Sequence, residues 1–296
     1  LILKTSLGNI VEQAPIAYQI FKNKKIQIPC EFKLRNNILS FKFPKSYNKN
    51  LPLIIDPVLI FSTYSGSTAN NWGQTATYDN SGHLYSGSIS FAIGYPTTLG
   101  AYQALFAGGN TDICITKFSN NGTSLIYSTY LGGSGNENPH SLVVNNNNEI
   151  YILGSTGSSD FPVSNLTYDN SFNGGNNWGF IGSYIPYPNG IDIVVSKLSN
   201  SGNNLIGSTF IGGSGNDGIN ESGANLYTPT SSSGLCNFYA DEYRGEIILD
   251  SLSNCYVAST TKSIDFPTVG ASQINNGGMQ DAIAFKLNSN LTNLLW

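Results

Sequence analysis

Few residues in this chain are of types that do chemistry, and their spacing argues against most of it. Gly132-Gly-Ser-Gly-Asn-Glu137 and Gly212-Gly-Ser-Gly-Asn-Asp217 have the Gly-rich, acid-ended form of a calcium-binding nonapeptide turn. That chemistry needs nine-residue copies in tandem, so that successive turns supply oxygens to one ion. The two copies lie 80 residues apart, so they read as turns between strands, with no metal expected. Hydrolysis by paired carboxylates needs two acids held close together in a cleft. The densest acidic run is Asp241-Glu242, with Glu246 and Asp250 nearby, and adjacent acids on a loop point different ways. No Gly-x-Ser-x-Gly, P-loop or dinucleotide fingerprint is present, and His83 and His140 fall in a turn and just before a strand. Four cysteines without a C-x-x-C give no zinc site. Cys114 and Cys255 sit in strand patterns as small core residues, and Cys236 with Cys255 is a candidate disulfide. No catalytic residue and no cofactor is expected.

What remains is recognition by aromatic rings. Residues 174–190 carry Trp178, Phe180, Tyr184 and Tyr187 among Gly and Pro. Residues 221–245 carry Tyr227, Phe238, Tyr239 and Tyr243 beside Asp241, Glu242 and Arg244. Loops with aromatics on a rigid scaffold make binding faces. Trp178, Phe180, Tyr184, Tyr187, Tyr239, Asp241, Tyr243 and Arg244 are therefore the candidate contacts to a glycan or protein. The alternative is that these rings fold back over the scaffold.

Those loops interrupt a repeat. Leu59-Ile-Phe-Ser-Thr-Tyr64, Leu125-Ile-Tyr-Ser-Thr-Tyr130 and Leu205-Ile-Gly-Ser-Thr-Phe210 align, and Leu294-Leu-Trp296 begins a further copy, at spacings of 66, 80 and 89. Three other markers follow each time. A strand begins near Leu84, Ile150 and Cys255; Gly94-Tyr-Pro, Asp160-Phe-Pro and Asp265-Phe-Pro come next; then Asp112–Phe118, Asp192–Leu198 and Asp281–Leu287. The unequal periods are one 66-residue unit with insertions in two places. Each copy holds four short runs rich in β-branched and aromatic residues, bounded by Asn, Gly and Ser. The 37 Asn residues are mostly turn chemistry, because these turns need residues that tolerate positive φ.

Composition agrees. Only 11% of the chain is charged, against roughly 25% for an average domain. Coiled coils, helical bundles and charge-driven disorder are excluded, and no apolar run approaches the 18 residues of a membrane-spanning helix. Residues 1–57 carry nine Lys or Arg against three acids, while 58–296 carry five against fifteen, which marks a boundary near 57. The lysines (Lys22, Lys24, Lys25, Lys33, Lys42, Lys45, Lys49) are scattered among strand-like residues, which argues against nucleic-acid binding.

Four antiparallel strands repeated in tandem predict an all-β chain of β-propeller blades. Residues 73–131, 141–211 and 245–296 supply about three, an incomplete set with both ends of the chain cut. Leu125 to Asn136, Asp160-Phe-Pro162 and Asp281-Ala-Ile-Ala-Phe-Lys-Leu-Asn288 resemble the SBBP β-propeller repeat of bacterial surface proteins. Leu7-Gly8, Pro15-Ile-Ala-Tyr-Gln19 and Leu51-Pro-Leu-Ile-Ile-Asp-Pro57 resemble the end of the β-sandwich-like domain that precedes such repeats. The implied layout is residues 1–57 as the end of that domain and 58–296 as repeats (58–124, 125–204, 205–293, a further one from 294). The resemblance implies an extracellular or cell-surface, Bacteroidetes-like protein. Its expected partners are a glycan or protein ligand and further blades of the same chain, not membrane or nucleic acid. A non-enzymatic adhesion module is expected; a glycan hydrolase or lyase at the propeller mouth and a purely structural spacer are the alternatives. Copy one departs from the pattern at Gly66-Ser-Thr-Ala-Asn70 and at Gly94, as a divergent capping blade would.

Overall fold

The computed structural model describes residues 2–5, 8–11, 15–36, 38–56, 61–179, 185–220, 243 and 245–296. Every regular element among them is a β-strand. Contacts divide the chain into two units, Leu1–Ser62 and Thr63–Trp296. In the first, β1 (Ile2–Thr5) pairs with β2 (Gly8–Val11) and β5 (Glu31–Arg35) with β6 (Ile38–Lys42). β3 (Ile16–Phe21) lies between β4 (Lys24–Ile28) and β7 (Ile54–Asp56). The buried Gln19 amide of β3 takes the Asn48 N–H and donates to the carbonyls of Asn48 and Leu51, which ties down the loop ahead of β7.

The second unit is three consecutive antiparallel sheets. Blade 1 is β8 (Asn71–Tyr78), β9 (Leu84–Ser90), β10 (Asp112–Phe118) and β11 (Leu125–Leu131), paired in that order. Blade 2 is β12 (Glu137–Val144), β13 (Ile150–Thr156), β14 (Asp192–Leu198) and β15 (Leu205–Ile211). Blade 3 is β16 (Glu246–Leu249), β17 (Cys255–Thr261) and β18 (Asp281–Leu287), with Leu294 bridging Leu287 where a fourth strand begins. The first strands of the blades, β8, β12 and β16, neighbour one another along the inner edge. Repeat and blade are thus out of phase by one strand. The Leu125 and Leu205 markers are outermost strands, whereas Phe61–Tyr64 of the first marker form no strand, and Tyr64 is 95% exposed.

Strand alternation stacks the blades. In β13, Ile150 and Ile152 pack toward blade 1 with Tyr85, Ile113, Ile115 and Tyr127. Tyr151 and Leu153 turn the other way, toward Ile247, Val257 and Phe285 of blade 3. A period of two buries both faces of the blade, so its strands read as nearly continuous apolar runs. Cys114 and Cys255 are buried free thiols; Cys236 lies outside the described residues. Among the described residues no blade covers the far face of blade 3, where Ile264, Ile274 and Trp296 are exposed around a cavity of about 540 Å³.

Each blade also pairs one lysine of its third strand with one carboxylate of its first hairpin, the lysine being buried in blades 1 and 2 and partly exposed in blade 3. The pairs are Lys117–Asp79 at 3.3 Å, Lys197–Glu149 at 2.7 Å and Lys286–Asp250 at 3.2 Å. Each ammonium also lies over a Tyr ring, of Tyr85, Tyr151 or Tyr256. Asp79 and Asp250 fold their hairpin turns by accepting backbone N–H groups two and four residues on. In blade 2 Asn145 does this, and the charge moves four residues on to Glu149. The position of the acid changes between blades while its partner does not.

A second compensation crosses the blade junctions. Tyr127 of β11 lies against Gly202 in the β14–β15 turn, where a Cβ would stand 2.3 Å from the ring. At the next junction the sizes reverse: Gly207 takes the Tyr127 position, and Leu291, with φ 60°, takes that of Gly202. Leu291 is fully buried against Gly207, which offsets a left-handed backbone cost of roughly 1–2 kcal/mol. Leu291→Gly is expected to destabilise by about 2–4 kcal/mol through the cavity it leaves. Adding Gly207→Tyr, which copies the other junction, is expected to recover part of that. Urea unfolding of both singles and the double checks this, and simple additivity would contradict the exchange.

Candidate functional site

The Gly-rich turns are seams between blades. Glu137 Oε1 accepts from Thr156 Oγ1 at 2.6 Å and from Ser158 Oγ, while Oε2 accepts from Gly133 N–H at 3.2 Å. Asp217 repeats this with Thr261, Ser263 at 2.8 Å and Gly213 N–H at 2.8 Å. Ser134 donates its N–H and hydroxyl to Asp160 at 2.8 and 2.9 Å, as Ser214 does to Asp265. This explains the acid of the Asp-Phe-Pro marker. In copy one, Thr68 N–H instead finds the Gly94 carbonyl at 3.1 Å, and a Cβ on Gly94 would stand 2.5 Å from Thr68 Oγ1. The two departures of that copy are therefore one change.

Across each seam two carboxyl groups flank a glycine. A Cβ on Gly132 would lie 2.6 Å from Glu137 Oε2 and 2.9 Å from Asp112 Oδ1; on Gly212, 2.7 Å from Asp192 Oδ1 and 2.8 Å from Asp217 Oδ2. All four acids are fully buried. Burial pushes Asp112 up to about 7 and Glu137 to about 8, the latter helped by the Asp112 charge and opposed by its hydroxyl donors. Burial likewise takes Asp192 to about 8, with Asp217 adding repulsion, and Asp217 to about 6. Among the described residues no three His, Cys, Asp or Glu side chains gather as a metal set. The chemistry of these acids is protonation at a packing seam.

A different site lies at the inner edge. β12 carries a register shift between Pro139 and Ser141 that makes His140 its bulge residue, inside the strand and not ahead of it. β8 carries the equivalent shift between Gly73 and Thr75, at Gln74. Bulges re-aim side chains and recur beside functional sites. Gln74, His140 and Gly245, which precedes β16, line one open cavity of about 630 Å³ with Asn220, Tyr243, Glu246, Ser259 and Thr260. Glu246 accepts the Ser141 hydroxyl at 2.6 Å. His140 Nε2 lies 3.0 Å from Ser155 Oγ, and burial pushes the imidazole down to about 3, so it is neutral at physiological pH.

The two insertions meet here. Trp178 and Tyr187 exchange backbone hydrogen bonds, an antiparallel bridge within the first insertion. The Tyr243 ring centre lies 6.2 Å from Trp178, 6.4 Å from Tyr187 and 6.2 Å from His140. Tyr187 is wholly buried with Ile89, Ile185, Ile191 and Ile219, so its ring is core and offers no ligand face. Trp178 and Tyr243 pack on that cluster half-buried. Phe180, Tyr184, Tyr239, Asp241 and Arg244, with Tyr227, Phe238 and Glu242, lie outside the described residues. Reading the loops alone missed Gln74 and the channel-side place of His140. Aligning the repeats residue by residue marks them, because one position holds Gln, His and Gly in turn.

Residues 126–162 match the beta-propeller repeat SBBP, and residues 1–58 match a domain of unknown function, DUF7948. The chain thus carries an SBBP-type β-propeller repeat, preceded by a β-stranded segment similar to DUF7948. No curated protein matches it.

Proposed function

We propose that this chain is a non-enzymatic binding module of an extracellular or cell-surface protein, which holds a glycan or protein ligand at the inner edge of its blades. One observation carries the reading: equivalent bulge positions of separate blades, Gln74 and His140, converge with Tyr243 from an insertion on one open cavity. A rigid scaffold with variable residues at a shared position is how repeat folds build binding faces. Glycoside hydrolysis by paired carboxylates is disfavoured, since the described lining holds one carboxylate, Glu246, already engaged by Ser141. The resemblance to repeats of surface proteins supports the location. The open apolar face of blade 3 supports a further blade as partner.

Glycan and protein arrays probed with the purified chain and with a Trp178→Ala/Tyr243→Ala variant test this. Binding is expected to fall at least about tenfold in the variant. Every detected ligand binding the variant as tightly as the parent would refute the site.

A further inference from the structure

We infer that the inner-edge cavity takes an uncharged saccharide, with a ring face against Tyr243 and hydroxyls on the side chains that line the floor. The inference rests on the binding reading above and adds the class of ligand. The cavity, about 630 Å³, falls within the roughly 300–1,000 Å³ of small-molecule sites.

The lining is polar and almost without charge. Gln74 and Asn220 bring amides, with Asn220 Oδ1 already accepting from Gln280 at 2.9 Å, and Ser259 and Thr260 bring hydroxyls, of which Thr260 donates to the Ile219 carbonyl; amides and hydroxyls both donate and accept, as sugar hydroxyls do. No Lys or Arg is among the described residues lining it, so none of these offsets desolvation of a phosphate, sulfate or carboxylate. Glu246 repels such anions, and its Oε1 accepts the Ser141 hydroxyl. His140 brings no positive charge, because its ring, with Nε2 3.0 Å from Ser155 Oγ and its centre 6.2 Å from that of Tyr243, is desolvated and stays neutral. The half-buried Tyr243 ring, braced by Trp178 and His140, gives an amphipathic surface whose position is held before any ligand arrives. That is the combination a pyranose needs: apolar C–H on one face and hydroxyls around the rim.

The test is calorimetry and ligand-observed NMR on the whole chain with three panels: neutral mono- and disaccharides, uronic and sulfated sugars, and short peptides. Gln74→Leu removes the amide with little change of volume, Tyr243→Ala removes the ring, and thermal melting confirms that each variant folds. Neutral saccharides are expected to bind, about three- to tenfold weaker in Gln74→Leu and at least about tenfold weaker in Tyr243→Ala. If acidic sugars or peptides bind with that sensitivity while neutral sugars do not, the ligand class is wrong and the binding module stands. If no ligand of any panel responds to either substitution, both readings fall.

Discussion

Raising the pH from 5 to 8 is expected to destabilise the propeller unit, and Asp112→Asn to remove part of that loss. The four seam acids, Asp112, Glu137, Asp192 and Asp217, have folded pKa values raised to between about 6 and about 8. A carboxyl raised on folding binds its proton more tightly in the folded chain. Its contribution is complete below the ordinary carboxylate pKa and is lost as pH rises through the folded value. A tenfold change in proton affinity corresponds to about 1.4 kcal/mol, so each seam acid contributes on the order of a few kcal/mol to this loss. Asp79, Glu149 and Asp160 oppose this at the acid end. Despite burial, hydrogen bonds and a lysine hold Asp79 and Glu149 low, and the Ser134 N–H chiefly holds Asp160 low, so their stabilisation is lost as pH falls below about 4. Maximum stability is expected near pH 5.

Asp112 is the position to test. Its Oδ2 accepts the Ala107 N–H at 2.6 Å, while Oδ1, buried beside Glu137, has no partner. An Asn there keeps the accepted bond and turns its amide toward the neighbouring carboxylate. Urea unfolding at pH 5 and pH 8 should find Asp112→Asn close to the parent at the lower pH and about 1–3 kcal/mol more stable at the higher. Parallel pH curves for the two proteins would show that the seam is not proton-linked.

The second large effect is the stranding of a buried ammonium. Lys117 is 4% exposed, and Asp79 is its carboxylate partner. Asp79→Asn keeps the turn acceptor but leaves the charge unpaired, which is expected to cost about 3–5 kcal/mol. For a unit of this size that corresponds to roughly 6–20 °C in Tm. Blade 2 shows the remedy, because Asn145 and Glu149 stand where blade 1 has Asp79 and His83. Asp79→Asn with His83→Glu is therefore expected to regain most of the loss in thermal unfolding. If the double variant melts no higher than Asp79→Asn alone, the two hairpins are not equivalent.

Sequence reasoning went furthest where the physics is local. Strand runs, Asn and Gly turns and the 66-residue unit need only period-two burial and positive φ, both visible in residue order. Asn145 is legible as a turn residue, and Asn148 does adopt φ 60°. The exchange of Tyr127–Gly202 for Gly207–Leu291 was present in the alignment, but as two unrelated irregularities. Only the stacking of one blade on the next makes them a single contact.

The candidate site divides in the same way. From the sequence alone, the insertions are aromatic and the Gly-Ser-Gly-Asn turns are not spaced as a tandem calcium motif. The tertiary structure decided which rings are core: Tyr187 is buried, while Trp178 and Tyr243 stay half-exposed at the inner edge. It also gave the acid-ended turns their role, since carboxyl groups as far apart in sequence as Asp112 and Glu137 become one desolvated pair only across a seam. Strand period and turn chemistry act over a few residues, so the residue order encodes them directly. Burial, proton affinity and the direction of a bulged side chain depend on neighbours that only the packed blades supply.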